Sequence, residues 1–94
     1  MKSGGDDPER QTELSATVLS EIQKRLDAAT SGPWKDYIEK RDGISGSDFI
    51  MTEGEDIYLI GGTAADYEFV AHARQDIPAL LAEVRRLKRL LGQE

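Results

Sequence analysis

The sequence predicts an α+β domain: an N-terminal helix, a three-stranded antiparallel meander and two C-terminal helices, the last with a coiled-coil-like seam. Three observations predict it. Leu14, Val18, Ile22 and Leu26 recur every four residues, which is one apolar stripe at helical period. Three short segments rich in aromatic and β-branched residues follow, separated by turn signals. Ile77, Leu80, Val84, Leu87 and Leu91 then recur at spacings of three and four, the a/d pattern of a heptad seam.

The first helix takes Leu19 and Ala29 on a neighbouring row. Asp7 with Pro8 in the first turn offers an early start, and Thr12 a later one. "TSGP" ends it: Gly32 suits a left-handed cap, and Pro33 cannot continue a helix. Residues 1–11 hold glycine, proline and charge but one large apolar residue, Met1, so they read as a frayed tail ahead of a single domain at 12–94.

The strand candidates are "WKDYIEK" at 34–40, "SDFIMTE" at 47–53 and "DIYLIG" at 56–61. Asp42-Gly43 marks the first turn and Gly54 a tight hairpin. A meander of this kind needs helix over one face. Thr63 and Asp66 then match a capping box, opening a helix of about three turns over "AADYEFVAHAR". Asp76 is placed to cap a final helix with Pro78 in its first turn, and Leu81 and Leu90 widen that helix's seam.

Of 94 residues, about 80 are left to fold, so an oligomeric interface is a plausible source of extra burial. There is no cysteine, which removes disulfides, thiol catalysis and cysteine metal sites. Without a basic start and apolar stretch there is no secretory signal, and no run is long enough to span a membrane, so a cytoplasmic protein is expected. The net charge of −6 is uneven: residues 1–73 hold 7 Lys/Arg against 15 Asp/Glu (−8), and residues 74–94 hold 5 against 3 (+2). Asp42, Asp48, Glu53, Glu55, Asp56, Asp66 and Glu68 fall in a stretch with no Lys or Arg. Such a surface repels nucleic-acid phosphates and is either simply solvated or a face for a basic partner.

Candidate sites are few. Gly61, Gly62 and Thr63 precede a helix N-terminus, where backbone N–H groups can bind an anion. No Gly-Lys-Ser/Thr or Gly-x-Gly-x-x-Gly accompanies them, and the nearby charges are acidic, so a turn plus a cap explains them equally. His72 is the lone histidine and has no local nucleophile or metal-ligand pattern around it. Glu55-Asp56 lacks the EF-hand spacing, and Ser45-Gly46-Ser47 lacks the nucleophile-elbow pattern. No catalytic residue, metal or cofactor is therefore assigned, and the chain reads as a non-enzyme.

Arg85, Arg86, Lys88 and Arg89 suit a helix C-terminus and cover an apolar seam; four basic residues are a weak nucleic-acid footprint. Trp34 is a core or interface anchor, with ligand stacking the lesser reading. Leu80, Val84, Leu87, Leu90 and Leu91 either pack on the sheet or pair with another copy, and the late leucines lie where little remains to cover them.

Two stretches, "LDAATSGPW" at 26–34 and "ADYEFVAHARQDIPALLAEVRRL" at 65–87, resemble the small phage and prophage early-region proteins of the Ead-like group. The first is similar to the exit of that group's first helix, the second to its "Asp-Ala-Glu-Phe-Ile-Ala-x-Ala-Arg-x-Asp-Val-Pro-Ala-Leu-Leu" segment; Tyr67 departs from the small residue usual there. The resemblance covers roughly residues 14–90. It implies a mobile-element origin and a helix–sheet–two-helix fold, and no catalytic residues.

The expected function is a non-enzymatic phage or prophage accessory protein that acts by binding, as a homo-oligomer through the last helix, with a host protein or a nucleotide ligand as the partner. One alternative is a protein sequestering a nucleotide signal with Gly61, Gly62, Thr63 and Trp34, and Arg85 or Arg89 from a second copy. The other is a nucleic-acid or regulator-binding module using the basic helix end.

Overall fold

A computed structural model describes residues 14–92. It holds helix α1 (Ala16–Ala28), strand β1 (Lys35–Tyr37), a single helical turn α2 (Glu39–Asp42), strand β2 (Phe49–Met51) and a long helix α3 (Ala64–Leu90). The class is α+β, as the sequence predicts. The tail at 1–11 and the starts offered at Asp7 and Thr12 lie outside the described residues. Within them, α1 begins at an N-cap Ser15, whose hydroxyl accepts from Val18 N–H at 3.2 Å.

α1 ends on Ala29 in extended conformation, and Gly32 is not left-handed. The helix end is instead closed from across the molecule. Arg74 of α3 donates Nε to Thr30 C=O at 3.1 Å and Nη2 to Leu26 C=O at 3.5 Å. A cation at a helix C-terminus meets both the last carbonyls and the dipole. Gln75 holds the next residues, accepting from Trp34 N–H at 2.8 Å and donating to Trp34 C=O at 3.3 Å. Arg85 donates to Gln23 Oε1 at 3.0 Å further along, so α1 runs back beside α3.

The sheet is smaller than the expected meander. β1 and β2 pair antiparallel, Lys35 with Met51, Asp36 with Ile50 and Tyr37 with Phe49. The "WKDYIEK" segment leaves the sheet after Tyr37, because Ile38 N–H turns to Asp42 Oδ2 at 2.8 Å and Glu39 N–H to Asp48 Oδ1 at 2.8 Å, which starts α2. The third segment contributes one bridge, Ile57 with Ile50, with both N–H···O bonds at 2.9 Å. It goes no further because Leu59 spends its backbone groups on the Tyr67 side chain and on the turn to Gly62. Leu59 N–H donates to the Tyr67 hydroxyl at 2.8 Å, and that hydroxyl donates back to Leu59 C=O at 3.2 Å.

Pleating sends alternate residues to opposite faces. Asp36 and Ile50 point inward and are buried, while Tyr37, Phe49 and the more exposed Lys35 and Met51 point out. The core is Ile38, Ile50, Tyr67 and Ala71, with Trp34, Ile57, Leu59 and Val70 packed against it.

The two C-terminal helices are one. α3 runs unbroken through Asp76 and Pro78. A helix-interior proline removes the bond to the carbonyl four residues back, here Arg74, at a cost of about 3 kcal/mol. Packing on both sides offsets this: Tyr67 and Ala71 before the proline and Leu81 after it are all buried. Asp76 therefore caps nothing and is exposed mid-helix.

Candidate functional site

The helix start read from the sequence is formed. Thr63 is the N-cap; its hydroxyl accepts from Asp66 N–H at 3.1 Å, and Asp66 Oδ2 accepts from Thr63 N–H at 2.9 Å. The glycines before it make a turn closed by Gly62 N–H to Leu59 C=O at 2.9 Å. Gly61, third in that turn, has φ 82°, where a type II turn needs a residue without Cβ strain. Gly62 is required for closeness: a Cβ there would lie 2.9 Å from Leu59 Cβ and 3.1 Å from Leu59 oxygen. Both glycines and Thr63 thus have structural work with no ligand present.

The structure does not bring the sequence-predicted ligand residues together within one copy. Thr63 and Arg85 sit 22 residues apart on one helix, an axial distance of about 33 Å. Trp34 lies between, half-buried against Gln75, with its indole N–H on Thr30 C=O at 3.1 Å. Arg85 is tied to Gln23, and Arg89 lies one turn further along.

Sequence reasoning missed a charge cluster centred on Arg41. Its guanidinium donates to Asp36 Oδ2 at 2.9 Å, Asp36 C=O at 3.0 Å, both Asp42 oxygens at 2.7 and 2.9 Å, and Glu68 Oε2 at 2.9 Å. One side chain thereby ties β1, α2 and α3. The His72 Nε2 atom lies 3.7 Å from the other Asp36 oxygen. The Arg41 hydrogen bonds, helped by the bond from Ile38 N–H, lower the Asp42 pKa from 3.8 to about 2, and Asp42 and Asp36 raise that of Arg41. At the other end of α3, the Arg86 hydrogen bond lowers Glu83.

The acidic stretch is thus largely structural: Asp42 and Glu68 meet Arg41, Asp48 holds Glu39 N–H, and Asp66 caps α3. Glu53, Glu55 and Asp56 remain exposed on the hairpin. No group of three or more acidic or histidine side chains among the described residues is placed to hold a metal.

What the fold does present is apolar surface. A groove of about 510 Å³ lies between α1 and α3, walled by Leu19, Ile22 and Leu26 on one side and Ile77, Leu81 and Val84 on the other. Its outer lip is Leu80, 64 % exposed. Beyond it Leu87, Leu90 and Leu91 are exposed, while Val84 is half-buried. Phe69, 75 % exposed, joins this surface. It is 11 residues before Leu80 and 18 before Leu87, so in a continuous helix all three lie within about 20° of one face. The sequence hid this, because a helix break at Asp76 would have put Phe69 on another element. A smaller aromatic patch, Tyr37 stacked on Phe49 at 5.1 Å with Tyr58 beside it, covers the outer face of the sheet.

Among the described residues no helix is long and apolar enough to cross a membrane. In comparisons with known proteins, no family model, no curated protein and no solved structure significantly matches this chain.

Proposed function

We propose that this chain is a non-enzymatic binding protein, of the accessory kind found in phages and prophages, and that it works in the cytoplasm of a host cell as a homo-oligomer built on α3. The observation that carries the reading is the groove with its exposed lip. α3 has one apolar face covered by α1 and the sheet, and a second that its own chain leaves open. Contiguous apolar surface of this kind marks an interaction site. The phage and prophage part rests on the resemblance at 26–34 and 65–87. Those two stretches form one joint in the fold, where Arg74 and Gln75 grip residues 26–34.

The polar clusters point away from catalysis. Arg41 is engaged by three carboxylates, and the Thr63 hydroxyl by its cap. Light scattering on the full chain at high micromolar concentration tests the reading. A mass that is a multiple of the 10.4 kDa of one chain is expected, and a monomer at that concentration would overturn it.

A further inference from the structure

We infer that the open face of α3 is a self-complementary surface on which a second copy docks antiparallel, with Leu80 at the twofold axis; this rests on the oligomeric reading above. Around Leu80 the face is apolar on both sides at seven and eleven residues, while at three and four residues Ile77 and Val84 are matched with Glu83 and Asp76. Phe69 and Leu91, 75 % and 70 % exposed, lie eleven residues to either side. Ala73 and Leu87 lie seven to either side, a small residue facing a large one. A twofold interface requires that if residue i meets j, then j meets i. Antiparallel packing about Leu80 satisfies this with Phe69 of one copy on Leu91 of the other and Ala73 on Leu87. Parallel packing would set Ala73 against Ala73 and Leu87 against Leu87.

At long range the net charge of the two halves of α3 favours the same orientation, although Arg85, Arg86 and Glu68 are held within the chain by Gln23, Glu83 and Arg41. Residues 64–76 of α3 carry Asp66, Glu68 and Asp76 against Arg74, a net −2, whereas residues 77–90 carry Arg85, Arg86, Lys88 and Arg89 against Glu83, a net +3. An antiparallel pair sets −2 beside +3 twice. A parallel pair sets +3 beside +3, and like charges across an interface disfavour that arrangement. The helix dipoles favour the antiparallel pair as well. The groove beside Leu80 then receives apolar side chains of the second copy, and two α1/α3 hairpins make a four-helix layer.

The chain has no cysteine, so one introduced thiol is a unique label site. Ala65 is exposed in the first turn of α3, clear of the core. In Ala65→Cys carrying a nitroxide, the antiparallel dimer predicts two labels separated by about 45 Å along the helix axes, from 30 residues at 1.5 Å each. Double electron–electron resonance reads that separation. Strong dipolar broadening from labels at the ~10 Å spacing of adjacent helices would overturn the antiparallel arrangement and leave the dimer standing. A well-defined separation far from 45 Å would overturn the centring on Leu80. A monomeric mass with no dipolar signal would overturn the oligomeric reading itself. A Leu80→Glu variant carrying the same label is expected to lose the dipolar signal.

Discussion

Replacing Tyr67 with phenylalanine isolates the contact that shapes this fold. The ring is 5 % exposed and sits in the core beside Ile50 and Ala71, so Tyr67→Phe leaves packing unchanged. What it removes is the hydroxyl, which holds Leu59 N–H at 2.8 Å and Leu59 C=O at 3.2 Å. Each net hydrogen bond is worth about 0.5–1.5 kcal/mol, and a half-buried N–H left without a partner adds a desolvation term of similar size. The expected loss is about 2 kcal/mol, and at roughly 4–8 °C per kcal/mol for a chain of this size the melting temperature falls by about 8–16 °C. The assay is urea and thermal unfolding followed by circular dichroism, at one protein concentration because self-association feeds into apparent stability. A loss below about 0.5 kcal/mol would refute the claim that Tyr67 holds the end of the third segment.

Other substitutions separate the chain's own fold from its surface. Leu81, 5 % exposed, is expected to lose about 2–5 kcal/mol on change to alanine, read by urea unfolding. Gly62→Ala is expected to destabilise by about 1–3 kcal/mol in the same assay, because its Cβ meets the fixed Leu59 backbone; an unchanged midpoint would mean the turn relaxes freely. Acid is expected to weaken the fold through Asp42. Its carboxylate is held at about 2 against 3.8 unfolded, so its contribution is complete above 3.8 and is lost as pH falls through 2. Urea midpoints across that window should fall more for the wild type than for Asp42→Asn; equal slopes would contradict the role given to Arg41.

The helices were the legible part of the sequence, because each carries a stripe long enough to show its period. Leu14 to Leu26 and Ile77 to Leu91 declare themselves without tertiary information. The capping box at Thr63 was legible because its chemistry is local. The sheet was not, since three-residue strands are too short for alternation, and side chains from elsewhere, Asp48 and Tyr67, decide where pairing stops. The break at Asp76 was misread for a physical reason: an aspartate two residues before a proline looks the same at a helix start and in a helix that packing carries through. That misreading also concealed the extent of the exposed apolar face, since Phe69 joins Leu80 only along an unbroken α3. The Arg41 cluster had no sequence signal, because its partners come from three elements.

The account turns on the open face of α3 being an interface rather than an idle surface. Leu80 is its centre, and at 64 % exposure it contributes little to the chain's own core. Sedimentation equilibrium of the wild type beside Leu80→Glu tests this most directly, with circular dichroism to verify that the helices persist. The account predicts a wild type in reversible equilibrium between one and two copies, and a variant that is folded and monomeric. The same association constant for both proteins, each retaining its helix content, would contradict it.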